Sequence, residues 1–384
     1  MRLSKAFKKL GLLFVFLIII FGVSLLNYDN VANALKSSII SFVESGQFES
    51  EKFEETYNDD FYERIKWVDF NSLIVRAMDQ KITNGVVKGE NGKLNFLWST
   101  EYKFDENTEK AKVGKAIQIL KYAQDKGADT LYVQRPWAIS DLPYGYTFEY
   151  NKQYDFWCDQ IAENGIPTLD FRETIEDKID FYTTDHHWTV KSSFYGAKNI
   201  IDTLSELYGY NFNNKDMYFD LENYYSKEYP DSFLGAEGVR AGQFFAGKDD
   251  FEVYYPKFET DFSFKQFADH EMYFEIEGPF EKVFIDWDKL EDPNYNNKYY
   301  SLSYNAYNEN IVINNLADNN DKVLLIADSY ARPMLAFMSL CFKEVRFLDP
   351  QEGRYNDSYV EYIDEYDPDI VIMMFPGEGY FEQV

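Results

Sequence analysis

The sequence predicts an α/β protein in which a mainly parallel β-sheet is flanked by helices, with an inserted β-rich region and a preceding N-terminal transmembrane segment. Three observations support this prediction. From about residue 95, short apolar stretches alternate with segments of helical periodicity. Two of these stretches, KVLLIA at 322–327 and DIVIMMF at 369–375, are almost continuously apolar, as strands covered on both faces are. At 384 residues and 45% hydrophobic content, the chain can also build a sizeable core.

The first 34 residues are predicted to be a signal anchor or a signal peptide. Basic residues at positions 2, 5, 8 and 9 precede an uncharged run of 17 residues at 10–26, which is at the short end of what spans a bilayer. The basic flank should stay in the cytoplasm, so the rest of the chain is expected to be extracytoplasmic, either membrane-anchored or secreted. Ala32-Asn33-Ala34 is typical of a signal-peptidase site, so both alternatives remain open.

Residues 91–384 are predicted to form the folded domain, after a polar and acidic stretch at 35–90 that is typical of a stalk or N-terminal extension. Apolar residues at 113, 117, 120 and 123 share one face of a helix at 109–125, which Gly127 closes. Apolar runs, helical stripes and glycine or proline stops indicate strands at 94–97, 130–134 and 168–171, and helices at 153–162 and 189–208.

Residues 215–320 interrupt this rhythm with aromatic alternations such as FEVYYPKF and EMYFEIEG, separated by Gly, Pro and Asn. We expect an insertion with antiparallel strands, or a lobe packed beside the sheet. The α/β pattern then resumes, with strands at 322–327, 344–348 and 369–375 and helices at 333–342 and 359–366. Ligands of such sheets bind at the carboxyl ends of the strands.

Composition excludes several functions. The formal net charge of −28 disfavours nucleic-acid binding. The 32 Tyr and 34 Phe residues suit stacking on sugar rings, although most are expected in the core. Cys158 and Cys341 could pair outside the cell or remain separate buried thiols. With two cysteines and three histidines there is no rich zinc site, and neither a metal nor a cofactor is predicted.

Ser329 is the candidate nucleophile. The predicted strand 322–327 runs into Asp328-Ser329, and a helix follows at once. Ser329 would therefore lie at a strand's carboxyl end beside a helix N-terminus, where backbone N–H groups can stabilise an oxyanion. The alternative is that Asp328 or Ser329 only caps the helix.

Asp185 and His187 are the candidate acid and base. They lie in the stretch YTTDHHWT at 182–189, directly before a predicted helix. A serine needs a base to take its proton and an acid to orient that base. Residues two apart lie on the same side of an extended segment, so an Asp–His hydrogen bond is feasible. A metal site is the alternative, but His186 and His187 would point different ways, and His270 lies in an acidic loop.

These two motifs resemble those of the DHHW family of bacterial extracytoplasmic proteins, which is similar to the SGNH-like domains of the alginate O-acetylation proteins. In that family an Asp-x-His-Trp motif comes before a Gly-Asp/Thr-Ser motif, in a circular permutation of the ordinary SGNH order. DHHW at 185–188 and ADSY at 327–330 match the two motifs, with Ala327 in place of the usual glycine. The resemblance covers about residues 90–384 and implies an SGNH-like, flavodoxin-like fold. It also implies that Ser329, His187 and Asp185 are the nucleophile, base and acid.

Four further residues in or beside these motifs are candidates for substrate binding or oxyanion stabilisation: Trp188, Asp328, Tyr330 and Arg332. Gly235 in FLGAEG is a candidate oxyanion donor, and the favoured alternative is an ordinary loop glycine.

The sequence thus favours an extracytoplasmic serine esterase or O-acetyltransferase acting on cell-envelope or exopolysaccharide carbohydrate. The resemblance implies a membrane-bound O-acyltransferase as the partner that supplies acyl groups. One alternative is a catalytically inactive carbohydrate-binding or assembly protein on the same fold, with Trp137, Trp188 and tyrosines as a sugar platform. Another is a structural surface protein whose acidic, aromatic insertion contacts partners.

Overall fold

The computed structural model describes residues 21–23, 25–45, 61–138, 142–268, 271–302, 309–350 and 358–374. The chain divides into two compact units between Met78 and Asp79. The first unit contains helices α1 (Tyr28–Ser45) and α2 (Arg64–Ala77). Within the described residues, no helix combines the length and apolarity needed to cross a bilayer. Residues 1–20 of the predicted anchor and 46–60 of the predicted stalk lie outside the described residues, as does His270.

The second unit carries the remaining elements. Its helices are α3 (Glu106–Lys126), α4 (Tyr150–Glu163), α5 (Phe171–Thr174), α6 (Val190–Tyr208), α7 (Lys215–Tyr218), α8 (Ala236–Ala241), α9 (Gln243–Ala246), α10 (Phe280–Val283), α11 (Trp287–Glu291), α12 (Ala331–Met338) and α13 (Tyr359–Tyr366). Its strands are β1 (Ile82–Thr83), β2 (Val86–Lys88), β3 (Leu94–Phe96), β4 (Asp129–Gln134), β5 (Thr168–Asp170), β6 (Tyr224–Phe233), β7 (Asp249–Pro256), β8 (Phe262–Ala268), β9 (Glu271–Gly278), β10 (Glu309–Asn314), β11 (Lys322–Ala327), β12 (Glu344–Leu348) and β13 (Ile370–Met374). Short 3₁₀ turns occupy Leu97–Thr100, Pro143–Gly145, Glu176–Lys178, Leu221–Asn223 and Lys298–Ser301.

The large sheet confirms the predicted α/β architecture. In the described part of the chain its strand order is β5-β4-β13-β11-β12-β10-β8-β9. The first five strands run parallel to one another, and the last three are antiparallel to their neighbours. Strands β11 and β13 lie in the middle of the parallel part and are buried along almost their whole length. Their uninterrupted apolar sequence follows from this, because helices cover both faces of a parallel sheet.

The antiparallel strands within 215–320 take two positions. Strands β8, β9 and β10 continue the large sheet beyond β12. Strands β6 and β7 form a separate two-stranded ribbon. The alternation of aromatic and polar residues in β7, β8 and β9 is typical of strands with one buried face.

The prediction that 94–97 begins the α/β alternation is wrong. Leu94–Phe96 instead forms β3 of a small antiparallel sheet with β1 and β2. Asn84 and Gly85, both with positive φ, make the two-residue turn between β1 and β2. Asn-Gly is the preferred pair for such a hairpin turn, because both residues tolerate a left-handed backbone. This small sheet packs against helix α8.

Helix termini agree closely with their sequence signals. Asp105 caps α3 by accepting a hydrogen bond from the Thr108 backbone N–H, and Gly127 ends the helix with a φ of 98°. Thr189 caps α6, which packs against α12 through its apolar stripe. Neither cysteine forms a disulfide: Cys158 is partly buried and Cys341 is buried.

Candidate active site

Ser329 lies between the end of β11 at Ala327 and the start of α12 at Ala331. The turn is tied by Asp328, whose Oδ1 accepts from the Tyr330 backbone N–H at 3.1 Å. The Asp328 carbonyl also accepts from the Ala331 N–H at 3.0 Å. Both neighbours of Ser329 are buried, whereas Ser329 itself is partly exposed. The turn thus presents the Ser329 hydroxyl at the carboxyl end of a central parallel strand.

The segment 182–188 leads into α6 and is held by a neighbouring carboxylate. Asp249 accepts from the backbone N–H groups of Thr183 at 2.9 Å and Thr184 at 2.8 Å. The Tyr182 N–H donates to the His187 carbonyl at 3.2 Å, which closes the segment on itself. These contacts fix the backbone of Asp185 and His187, so little ordering entropy remains to be lost when the site forms.

A continuous hydrogen-bond chain joins Asp185, His187 and Ser329. His187 Nδ1 lies 2.5 Å from Asp185 Oδ1, and His187 Nε2 lies 2.7 Å from Ser329 Oγ. The His187 backbone N–H also donates to Asp185 Oδ1, at 2.9 Å. A carboxylate can only accept, so Nδ1 carries the imidazole proton and Nε2 accepts from the serine hydroxyl. The fold thus brings the three predicted residues together in the geometry of an activated serine.

The second oxygen of Asp185 is held by the start of helix α8. Asp185 Oδ2 accepts from the Ala236 N–H at 2.8 Å. Gly235 lies so close that an added Cβ would sit 2.2 Å from Asp185 Cβ. The Gly235 N–H donates to Thr184 Oγ1 at 2.9 Å. Gly235 therefore supports the Asp185 carboxylate, and its N–H donates to Thr184 and not to an oxyanion, the role for which it was a candidate.

The two titratable partners in the hydrogen-bond chain, Asp185 and His187, have shifted pKa values. Burial would raise the pKa of the Asp185 carboxyl, but His187 and His186 attract the carboxylate and hold its pKa well below the ordinary value. Burial lowers the pKa of His187 to about 4, helped by repulsion from His186 and opposed by Asp185. At neutral pH, Asp185 is thus ionised and His187 is neutral, as a general base must be.

His186 forms a second histidine–carboxylate pair beside the first. Its Nδ1 lies 3.1 Å from Oε1 of Glu237, a side chain that is 1% exposed. Burial lowers the pKa of His186, but Glu237 and Asp185 attract the imidazolium and raise the pKa to about 9. The rings of His186 and His187 are 4.2 Å apart. A positive charge therefore lies beside the neutral base.

Comparison with known proteins agrees with this architecture. Residues 140–240, which include 185–188 and Gly235, match the family model of the SGNH hydrolase-like domain of acetyltransferase AlgX. Bacillus cereus PatB1, solved with a sulfonyl adduct, superposes with a TM-score of 0.60 at 15% identity, over 78% of this chain and 97% of PatB1. A DHHW family protein from Eubacterium siraeum superposes with a TM-score of 0.53 at 17% identity, over 76% of this chain and 91% of that protein. No curated protein sequence matches the chain.

The chain has an SGNH hydrolase-like fold. The resemblance indicated by the DHHW motif is thereby confirmed. At this level of identity the solved structures show the fold alone, so the roles of individual residues rest on the geometry of this SGNH hydrolase-like domain.

Asp328 and Tyr330 support the SGNH hydrolase-like site from inside the protein. Asp328 is 2% exposed and Tyr330 is 1% exposed, so neither lines the surface as the sequence had suggested. Asp328 Oδ2 accepts from Arg135 Nε at 2.8 Å and lies 2.8 Å from Arg135 Nη2. The Arg135 guanidinium lies 3.7 Å from the centre of the Tyr330 ring. This buried ion pair joins the end of β4 to the end of β11.

Trp188 and Arg332 are also structural in position. Trp188 is fully buried, and its Nε1–H donates to the Tyr330 carbonyl at 3.0 Å. Arg332 is fully buried too, and its Nη2 lies 3.8 Å from Asp349 Oδ2. The expectation that these side chains contact substrate is therefore corrected, because buried side chains cannot meet a ligand that arrives from solvent.

Donor atoms of Asp185, His186 and His187 lie within 4.8 Å of one another, so this trio could in principle hold a metal ion. In the arrangement described, however, Nδ1 of His187 and Oδ1 of Asp185 bond to each other, and Nε2 faces Ser329. Structural zinc sites direct four ligands at the metal. These donors are instead directed at one another, which fits the metal poorly.

Four residues that hold the site escaped the sequence analysis: Arg135, Glu237, Asp249 and Tyr299. Tyr299 stacks on His187 with ring centres 4.3 Å apart, and its hydroxyl donates to the Ser329 carbonyl at 3.3 Å. Only Arg135 carried a usable signal, since it directly follows β4 and ligand sites form at the carboxyl ends of parallel strands. The other three come from the region 215–320, where the sequence pattern indicates strands but not which side chains approach Asp185, His186 and His187.

Proposed function

We propose that this protein is an extracytoplasmic serine esterase or O-acetyltransferase that acts on cell-envelope or exopolysaccharide carbohydrate. The observation that supports it most is the hydrogen-bond chain from Asp185 through His187 to Ser329, with distances of 2.5 and 2.7 Å. This hydrogen-bond chain forms on an SGNH hydrolase-like fold, and the family model that the sequence matches is that of an acetyltransferase domain.

In the proposed reaction, His187 Nε2 takes the hydroxyl proton as Ser329 Oγ attacks the carbonyl carbon of an acyl ester. Asp185 holds the Nδ1–H and stabilises the imidazolium that forms. The tetrahedral intermediate collapses to an acyl-serine, and the imidazolium returns its proton to the departing alcohol. Water or a sugar hydroxyl then gives its proton to His187 and attacks the acyl-serine. As this second tetrahedral intermediate collapses, the imidazolium returns the proton to Ser329 Oγ, which releases an acid or an acylated sugar and restores the serine hydroxyl.

The oxyanion would be stabilised by the Ser329 backbone N–H, which lies directly before α12. Neither Tyr330 nor Gly235 can add its N–H, because these groups donate to Asp328 and Thr184. An acceptor sugar would approach Ser329 from solvent, since Ser329 is partly exposed, whereas the rings of Tyr299 and Tyr330 pack against His187 inside the protein.

The proposal also includes a setting and a partner. The basic and apolar sequence at 1–34 supports membrane anchoring or secretion, with the catalytic unit outside the cytoplasm. A membrane-bound O-acyltransferase is the proposed source of acyl groups, and a cell-surface glycan the proposed acceptor.

The test is hydrolysis of p-nitrophenyl acetate by the full chain in detergent, with Ser329→Ala and His187→Ala as variants. We expect turnover that both variants lose while circular dichroism stays unchanged. Ser226→Ala, at an exposed serine on β6, is the matched control and should retain the wild-type rate. Because PatB1 was solved with a sulfonyl adduct, a sulfonyl fluoride should also add its mass to the wild type and to Ser226→Ala, but not to Ser329→Ala.

Equal rates in all of these proteins, together with equal labelling, would contradict the esterase chemistry. Such a result would favour the alternative function, a catalytically inactive carbohydrate-binding protein. If turnover depends on Ser329, addition of an oligosaccharide and mass spectrometry of the products separate the two activities. Acetylated sugar indicates a transferase, and free acetate alone indicates an esterase.

A further inference from the structure

A line of aromatic rings leads from the candidate triad to the protein surface. Trp98 stacks on Phe96 with ring centres 5.7 Å apart and an interplanar angle of 18°. Phe96 lies 6.1 Å from His186, and His186 stacks on Trp137 at 5.8 Å and 14°. We call Trp98, Phe96, His186 and Trp137 the aromatic row.

The aromatic row is accessible, in contrast to the aromatic residues behind the triad. Trp98 is 49% exposed, and the other three members are partly exposed. Trp188 and Tyr330, by comparison, are buried. The exposed half of the Trp98 side chain contributes nothing to the burial of apolar area on folding and stays available to a ligand.

Hydrogen bonds of the small sheet and the turn after it hold the backbone around Phe96 and Trp98, the outer half of the aromatic row. The Leu97 N–H donates to the Gly85 carbonyl at 2.7 Å, and the Leu94 N–H donates to the Thr183 carbonyl at 2.8 Å. The Thr100 hydroxyl donates to the Leu97 carbonyl at 2.7 Å, which closes the turn that carries Trp98. A flat ring fixed in this way loses little entropy on binding a ligand.

The aromatic row contacts the triad through His186. His186 is the sequence neighbour of His187, and their rings are 4.2 Å apart. The exposed Arg240 lies near the same surface, with its guanidinium 5.8 Å from the centre of the Phe96 ring. An arginine beside an aromatic surface offers hydrogen-bond donors to hydroxyl oxygens, while the rings offer apolar faces.

We propose that the aromatic row is a binding site for pyranose rings of the polysaccharide substrate, with Trp98 as its outer end. A pyranose presents C–H groups on its faces and hydroxyls on its rim, which matches aromatic faces bordered by a guanidinium. The polysaccharide would lie along Trp98 and Phe96, and one of its sugars would reach Ser329 past His186. This inference rests on the proposed function for the link to acyl chemistry, but binding itself can be measured without catalysis.

The test uses the full chain with Ser329→Ala, in a detergent that carries no sugar headgroup, and calorimetric titration with cellotetraose and chitotetraose. We expect at least one of the two to bind. Trp98→Ala should weaken that binding on the order of tenfold, equivalent to about 1.4 kcal/mol. Trp98→Phe, which keeps an aromatic face, should recover most of the affinity. Tyr225→Ala removes a ring of comparable exposure whose neighbour is Tyr255, outside the aromatic row, and should leave the affinity unchanged.

Equal affinity in Trp98→Ala and its parent, or no binding of either sugar, would overturn the proposal. The hydrolysis of p-nitrophenyl acetate by Trp98→Ala, with Ser329 restored, keeps the two proposals apart, since this small ester does not reach the aromatic row. Ser329-dependent hydrolysis without Trp98-dependent binding contradicts the aromatic-row proposal and leaves the enzyme intact. Trp98-dependent binding without hydrolysis supports the aromatic row and contradicts the esterase.

Discussion

The histidines of two adjacent histidine–carboxylate pairs differ in protonation at neutral pH, His187 being neutral and His186 cationic. His187 pairs with Asp185 and has its pKa lowered to about 4, whereas His186 pairs with Glu237 and has its pKa raised to about 9. Burial lowers the pKa of both rings. The difference arises from their surroundings. His186 is attracted by two carboxylates, whereas His187 is repelled by His186 and by the nearby Arg332.

The comparison shows how one short segment can hold a neutral base beside a cation. Because His186 holds its proton more tightly, a second proton on His187 is unfavourable at neutral pH. His187 then remains free to accept the proton of Ser329. The two histidines of the DHHW motif can thus be explained without metal binding, by one cationic ring beside one neutral base.

The largest expected effect separates the two histidines by their roles. His187→Ala should reduce kcat for an acetyl ester by about 10³–10⁶-fold, because it removes the base that touches Ser329. His186→Ala at pH 8 should stay within about tenfold of wild type, because His187 is neutral there even at an ordinary pKa. Steady-state kinetics with p-nitrophenyl acetate checks both. Similar losses of kcat in the two variants would contradict the assignment of His187 alone as the base.

A second prediction disturbs the Asp185 pair alone. Gly235→Ala would place a Cβ 2.2 Å from Asp185 Cβ and 2.6 Å from the Thr184 carbonyl oxygen. The backbone must move, so we expect a loss of about 1–3 kcal/mol in the free energy of unfolding. We also expect a strong loss of esterase activity. Gly114→Ala in α3, where nothing lies within 4 Å, is the matched control. It should be neutral or stabilising by up to about 1 kcal/mol.

Chemical denaturation and activity assays of the two glycine variants measure these effects. If Gly235→Ala keeps full activity, the close contact between α8 and Asp185 is not what positions the carboxylate.

The His187 pair was predictable from sequence, whereas the His186 pair was not. Asp185 and His187 are two apart, and Ser329 follows a strand whose bounds, 322–327, the structure reproduces. Local periodicity and turn chemistry determine these features. Glu237 lies 51 positions from His186 in an irregular region. The pairing of Glu237 with His186 depends on the packing of α8 against the small sheet, which no local sequence pattern indicates.

The same contrast holds for the sheet. The parallel strands were recognisable because burial on both faces leaves a continuous apolar run, and 344–348 matches β12 in both bounds. Strands β8 and β9 alternate aromatic and polar residues, which indicates a strand but not the sheet it joins. The hairpin at β1 and β2 did carry a local signal, the Asn84-Gly85 pair, inside a stretch interpreted as a stalk.

A smaller effect concerns the acid limb of the pH–rate profile. In the wild type, kcat/KM should fall only as His187 gains a proton near pH 4. His186→Gln removes the repelling charge, so the pKa of His187 and the acid limb should shift upward. Glu237→Gln should shift the limb in the same direction, because His186 then loses its proton at lower pH. An unchanged limb in both variants would mean that the two rings are not electrostatically coupled.

The smallest effect is on the pH dependence of stability, where the two pairs should act with opposite sign. The folded pKa of His186, about 9, exceeds the unfolded value of about 6.5. The folded state therefore binds the extra proton between these values, and the stabilisation is complete below pH 6.5 and lost as pH rises through 9. For His187, with a folded pKa of about 4, stability is lost as pH falls from 6.5 to 4. Thermal unfolding of wild type and His186→Gln from pH 4 to 10 checks this. The variant should lose the alkaline decline between pH 6.5 and 9 and show a weaker acid decline, because its His187 is no longer repelled. Parallel curves for the two proteins would contradict a charged His186.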